Sequence, residues 1–342
     1  MRTREKLRVA MLAPIAWRTP PNHYGPWEQV TSLITEGLVK EGVDVTLFAT
    51  KDSVTTAQLR AVCPTGYENN KKLDQPVWLA LHVSEVFEHA DEFDIIHSHL
   101  DVLPLSYSRL VDTPLVTTIH GFPSLQSPIV YRKYNGQAFY VAISDANRHP
   151  DLTYVATVHH GINLNDFSFR ADPDDYLIFF GRIHHDKGTA EAIEIARQAG
   201  CRLIIAGLIQ DTAYYQEQVE QRLDGKNVVY EGNVGPEKRN ELLSGARALL
   251  HPINFDEPFG LSVIEAMACG TPVIAFNRGS MPELIEEGVT GYLVPNVDEA
   301  VRAVEKLPEL NREECRRRAE RRFGVERMVA DYLKVYAQIL GR

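Results

Sequence analysis

Apolar runs of four to seven residues recur from one end of the chain to the other, and stretches with helical spacing separate them. This alternation constrains the fold most, because a strand that is apolar at nearly every position must be covered on both faces. Residues 7–13, 43–49, 94–97, 114–119, 138–143 and 154–158 read as such strands. The pattern restarts at 176–180, 202–206, 228–231, 248–251 and 272–276. Between the first two strands, residues 27–40 place Val30, Leu33, Ile34 and Leu38 on one helical face. Strands alternating with helices predict an α/β protein with parallel, doubly wound sheets.

A length of 342 residues suggests two domains. The polar segment NLNDFSFRADPDD (163–175) carries a proline and neither period, so it reads as the linker between them. Residues 311–340 read as helical, interrupted near Phe323 and Gly324.

Acidic residues outnumber basic ones, 46 against 36, for a formal charge of −10. That balance argues against a nucleic-acid partner, which needs clustered positive charge. No apolar run approaches the roughly 20 residues that cross a bilayer. The charged start leads straight into a strand, so no secretory signal is expected. Four scattered cysteines predict neither a disulfide framework nor a metal site, and a cytoplasmic protein with reduced thiols is expected. The basic run ECRRRAERR (314–322) is read as a solvated helix face in preference to an anionic-membrane dock, since it also holds Glu314 and Glu320.

Candidate chemistry gathers where strands end. In HPINFDEPFGLSVIEAMACGTPVIA (251–275) a strand gives way to a loop with Asp256 and Glu257, and a helix starts near Gly260. The amides of such a helix start suit a phosphate. Glu265 lies eight residues beyond Glu257, where the bland alternative is a solvated helix residue. In FFGRIHHDKG (179–188), Arg182 and Lys187 follow a buried strand, and two cations there suit a diphosphate. TPPNHYGPWE (19–28) joins the first strand to the first helix with Gly25 at the helix entry, and it is not a G-x-G-x-x-G fingerprint. His97 and His99 share a strand face, yet no third ligand stands at a telling spacing, so no metal site is expected. Asp172-Pro173-Asp174 is read as turn chemistry, not as a metal-nucleotide motif.

Taken in this order, these segments resemble the retaining glycosyltransferases of family 4, which have the two-domain GT-B fold. DIIHSH (94–99), TIHG (118–121), VAIS (141–144) and HHGINLNDF (159–167) carry the resemblance in the first half. FFGRIHHDKG, EGNVG (231–235), EPFGLSVIEAMACGTPVIA and GVTGYLV (288–294) carry it in the second. The loop TPPNHYGPWE most resembles the branch of avilamycin-type antibiotic glycosyltransferases. The resemblance implies two Rossmann-like domains facing each other across a cleft. An acceptor-side domain would span 1–164 and a nucleotide-sugar domain 165–325, with a last helix, 326–342, crossing back to the first. It implies that Glu257 lies near the donor sugar and that Glu265 binds the nucleotide ribose. Arg182 and Lys187 would hold the diphosphate, with the amides of Gly260 and Leu261 facing sugar and phosphate. His120 would approach the reacting centre, and Asn233 and Val234 would pass the nucleobase. Gly25 belongs to the donor-side loop, and His23, Tyr24, Trp27 and His99 would meet the acceptor. Two departures are visible: Gly25 is followed by Pro26, which has no N–H to offer, and Gly42 by Val43 instead of histidine.

The resemblance therefore implies hexosyl transfer from a UDP- or GDP-sugar to a hydroxyl of a saccharide or glycoconjugate, with retention and without cofactor or metal. The alternatives are a nucleotide-sugar epimerase, a phosphorylase-like enzyme, or a non-catalytic nucleotide-binding partner.

Overall fold

The computed structural model describes residues 6–122 and 124–341. The chain forms two compact units, Met1–Gly161 with Val325–Arg342, and Ile162–Gly324.

Unit 1 contains β1 (Arg8–Leu12), α1 (Pro26–Lys40), β2 (Asp44–Phe48), β3 (Gln58–Arg60), α2 (Gln75–Glu88), β4 (Ile95–Ser98), β5 (Leu115–Ile119), α3 (Ser127–Lys133), β6 (Phe139–Ala142) and β7 (Tyr154–Thr157). Its seven strands are ordered β3-β2-β1-β4-β5-β6-β7, and every pairing is parallel. Unit 2 contains β8 (Leu177–Phe180), α4 (Thr189–Gln198), β9 (Leu203–Ala206), α5 (Thr212–Tyr214), β10 (Val228–Tyr230), α6 (Pro236–Gly245), β11 (Ala248–His251), α7 (Leu261–Ala268), β12 (Val273–Phe276), α8 (Met281–Leu284), β13 (Gly291–Val294), α9 (Val297–Glu305) and α10 (Arg312–Arg322). Its sheet runs β10-β9-β8-β11-β12-β13, also wholly parallel. The predicted strands are all present. The sequence reading missed the two edge strands β3 and β13, because QLR is short and half polar and GYLV begins with glycine.

Both sheets are covered on both faces, as their patterning demands. Leu177 and Phe179 join one core with Leu203, Ile205, Leu250 and Ile274, while Ile178 on the opposite face is buried as well. In unit 1 Leu12, Phe48, Ile96, Leu115 and Tyr140 form the corresponding core.

The last helix, α11 (Val325–Leu340), belongs to unit 1. The Tyr336 hydroxyl is 2.7 Å from His97 Nδ1, and the Tyr332 hydroxyl is 2.8 Å from Thr118 Oγ1, all within buried surroundings. Helix α1 meets α11 at Gly37, where a Cβ would come within 2.4 Å of Val329 Cγ2. A glycine in the interior of α1 is thus a packing requirement despite its helix cost.

Two readings of polar segments change. Residues 163–175 do not hang between the units. Asn163 caps a short turn, Phe167 is buried, Asp174 N–H donates to Gly245 O (2.7 Å), and Arg170 forks onto both Asp174 oxygens (2.7 and 2.6 Å). Asp174 is therefore spent on an arginine. The arginines of α10 are not all a solvated face either. Arg312 donates to the carbonyls of Arg170, Ala246 and Ser244 (each 2.7 Å) and to Thr271 Oγ1 (2.9 Å). Arg316 reaches the carbonyls of Phe167 (2.8 Å) and Ala268 (2.7 Å), and Arg318 those of Leu284 (2.5 Å) and Glu283 (3.2 Å). These guanidinium groups satisfy carbonyls at the ends of α6, α7 and α8, a use that a charge count cannot reveal. Among the described residues no helix is long and apolar enough to cross a membrane.

Candidate active site

In an open parallel sheet, ligands bind beyond the carboxyl ends of the strands where the strand order reverses. In unit 2 that point lies between β8 and β11, and the two loops carrying the candidate residues leave from it. The β8 loop holds Arg182 and Lys187 and ends at Gly188, whose φ is 73°. A Cβ on Gly188 would lie 1.8 Å from Pro252 O of the β11 loop, so glycine allows both the left-handed turn and the contact. Asn254 fastens the loops together: its N–H donates to Asp186 O (2.7 Å), and its side chain to His185 O (3.2 Å) and Glu191 (2.8 Å).

This arrangement brings Lys187 and Glu257 into a largely buried ion pair, with Lys187 Nζ donating to Glu257 Oε2. Lys187 also lies over the Phe255 ring, 4.9 Å from its centroid. Burial would raise the proton affinity of Glu257, but the charge of Lys187 holds its pKa down at about 2. Glu257 is thus a carboxylate at any working pH. The loop after β12 braces it from behind, as Ser280 N–H donates to Glu257 O (3.0 Å) and Ser280 Oγ to Phe259 O. Arg182 donates to Gln210.

Gly260 and Leu261 stand at the start of α7, as the sequence suggested. Glu265 is not a solvated helix residue. It is buried and accepts from Arg239 Nη1 (3.1 Å), whose guanidinium lies 5.1 Å from the Phe167 ring centroid. Burial raises the pKa of Glu265, and Arg239 opposes this only in part. Val234 lies in the loop between β10 and α6.

In unit 1 the strand order reverses between β1 and β4. The Trp27 ring stacks on His120 at 5.1 Å with 19° between planes, and His120 Nε2 is 2.9 Å from His99 Nδ1. The structure therefore groups Trp27, His99 and His120. It does not add His23, which is exposed, and it turns the Tyr24 ring toward Trp17, at 6.4 Å. Gly25 precedes α1 with Pro26 in its first turn. Burial lowers the pKa of His120 to about 3, and burial with the neighbouring histidines lowers that of His99 well below its ordinary value. Both rings are neutral at pH 7. His97 has each nitrogen occupied, by Tyr336 (2.7 Å) and by Thr118 (2.8 Å), which removes it as a metal ligand. Among the described residues, His184, His185 and Asp186 bring ligand atoms within 4.8 Å of one another. The His184 and His185 rings lie 3.3 and 3.0 Å from the Asp186 carboxylate, and His184 Nδ1 accepts from the Asp186 N–H (3.3 Å).

Residues 28–165 match the family described as Glycosyltransferase Family 4, and residues 163–322 match Glycosyl transferases group 1. This chain is a glycosyltransferase. It is 24% identical to the O-antigen chain mannosyltransferase C of Escherichia coli, over 94% of this chain and 96% of that one. Among solved structures it resembles AviGT4, a glycosyltransferase involved in avilamycin A biosynthesis, with a TM-score of 0.69, 23% identity and 98% of both chains covered. HepE of Anabaena, solved with UDP and glucose, superposes with a TM-score of 0.72 at 20% identity, over 97% and 99% of the two chains. These likenesses establish the GT-B fold of two Rossmann-like domains.

The sequence reading missed four titratable side chains of the transferase on the elements and loops that carry these two sites. Glu28, in the first turn of α1, is buried and accepts from Trp17 N–H (3.1 Å), and burial raises its pKa to about 7. Asp101 follows β4, and burial raises its pKa to about 6. Arg239 and His251 complete the surroundings of Glu265 and Glu257. A charged residue in the first turn of a helix after a strand-end loop was the available signal for Glu28. Arg239 and His251 depend on tertiary contact and have no local signature.

Proposed function

We propose that this glycosyltransferase takes a hexosyl group from a nucleoside-diphosphate sugar and transfers it, with retention, to a hydroxyl of a saccharide or glycoconjugate. In this reading unit 2 holds the donor. Arg182 and Lys187 neutralise the diphosphate, the Gly260 and Leu261 amides add partial positive charge at the α7 start, Glu265 takes the ribose and the Val234 loop the base. Charge that builds on the leaving phosphate is then stabilised by fixed cations and dipoles, without a divalent metal. Glu257 stays ionised beside the anomeric carbon and stabilises positive charge there. Unit 1 supplies the acceptor side through Trp27, His99 and His120, whose neutral ring offers a hydrogen bond to the sugar.

The largely buried Lys187–Glu257 pair at the reversal point of the second sheet carries this reading. A buried ion pair is weak evidence for stability, so its place where ligands enter favours a functional use. UDP is the first donor nucleotide to try, since HepE was solved with it. Thermal melts with UDP, GDP, ADP and TDP, each with and without EDTA, should show one nucleotide raising the midpoint independently of the chelator. With the matching sugar nucleotide, Lys187→Ala and Glu257→Gln should each lower turnover by roughly 100-fold or more. Near-normal turnover, or stabilisation that EDTA abolishes, refutes the assignment. The anomeric configuration of the product, read by NMR, tests retention.

A further inference from the structure

The donor reading gives Lys187 two anions to serve. Its ammonium already holds Glu257 Oε2, and the diphosphate competes for the same charge. Once Lys187 turns to the phosphates, Glu257 is left as a largely buried carboxylate without its cation, a costly state.

His251 stands ready beside it. It is the last residue of β11, 4% exposed, and its Nε2 has no hydrogen-bond partner. That nitrogen faces the oxygen Lys187 holds, Glu257 Oε2, at 3.7 Å, just beyond hydrogen-bond length. Glu257 from its own loop and Lys187 from the β8 loop are the charges that act on the ring, and its partner on β12 is the apolar Ala275. Here the ring is neutral: burial and Lys187 lower its pKa, and Glu257 opposes them only in part.

We infer that His251 is a positioning residue that takes over Glu257 when the donor diphosphate engages Lys187, so that nucleotide binding draws a proton from solvent onto the imidazole. Two groups compete for that proton. Imidazole is intrinsically the more basic, at 6.5 against 4.5 for the glutamate, so the proton goes to His251. Its N–H then closes on Oε2, and Glu257 keeps both its charge and its place. The inference rests on the donor reading, because it needs an anion that takes Lys187.

The test is titration calorimetry of the whole protein with UDP at pH 7.5, in two buffers of different ionisation heat, with GDP, ADP and TDP run alongside. Wild type should take up close to one proton per bound nucleotide, by linkage. The nucleotide's own terminal phosphate titrates near 6 and contributes equally to every variant. His251→Phe and His251→Gln should lose the uptake, and His251→Gln retains a donor for Glu257 should the larger ring disturb folding. Glu257→Gln should lose it too, since no charge is then left to compensate. Binding without proton uptake in wild type, or uptake undiminished in either His251 variant, overturns the inference and leaves the donor site intact. No binding by any of the four nucleotides overturns the donor reading and this inference with it.

Discussion

Arg239→Met removes the cation that faces Glu265. In the structure Glu265 is 8% exposed and its side chain accepts from Arg239 Nη1 at 3.1 Å. Breaking a buried pair by deleting one partner costs about 3–5 kcal/mol, because the remaining charge is uncompensated. For a unit the size of Ile162–Gly324, each kcal/mol moves the melting midpoint by about 2–4 °C, so the unit 2 transition should fall by roughly 6–20 °C. The loss has a definite pH dependence. The folded pKa of Glu265 already stands above its ordinary value, so its contribution favours the folded state at low pH and is lost as pH rises through the raised pKa. Without Arg239 that pKa rises further, and the gap between variant and wild type should widen from pH 5 to pH 7.5. The double variant Arg239→Met, Glu265→Met should recover most of the stability, since apolar replacement of both partners is close to neutral. Scanning calorimetry at both pH values checks all three statements. A midpoint within 2 °C of wild type at pH 7.5, or a pH-independent gap, refutes the reasoning.

Other perturbations give opposing signs that make them informative. Glu28→Gln should gain on wild type as pH rises from 5 to 7.5, by up to about 3 kcal/mol in urea unfolding, because a folded pKa of about 7 against an ordinary 4.5 penalises the ionised form. Gly37→Ala improves helix propensity by about 1 kcal/mol, yet the Cβ meets Val329 Cγ2 at 2.4 Å, so net destabilisation of about 1–2 kcal/mol is expected. Adding Val329→Ala should relieve the clash. Arg312→Met strips donors from three carbonyls and the Thr271 hydroxyl, and should cost about 3–5 kcal/mol. Arg312→Lys should recover less than half of this, since a point charge cannot reproduce the fork.

The strands were legible because they are apolar on both faces, and the helix starts because Gly25, Gly188 and Gly260 precede them. The order of motifs pointed to the Lys187 and Glu257 loops, and the resemblance named the pair's roles. Of the four edge strands β7 and β10 were legible, whereas β3 escaped because QLR is three residues long with a single apolar one, and β13 because it begins with glycine. Arg317, Arg321 and Arg322 of α10 are exposed as expected, but Arg316 and Arg318 were misread because sequence counts charges and does not show which carbonyls they reach. The partners of Glu257 and Glu265 escaped for the same reason. His251 and Arg239 lie 6 and 26 residues from the carboxylates they face, on separate elements, and only the folded sheet brings them together.

Unit 1 is built from both ends of the described chain, with all of unit 2 inserted between β7 and α11. On the ribosome its sheet emerges early, but the hydroxyls of Tyr332 and Tyr336 that serve Thr118 and His97 emerge after everything in unit 2. Until then His97 and Thr118 have each other but lack the two tyrosine hydroxyls that complete their hydrogen bonding. The nascent protein therefore completes its later domain before its earlier one, and a ribosome that stalls short of α11 releases a chain whose first half is the unfinished part.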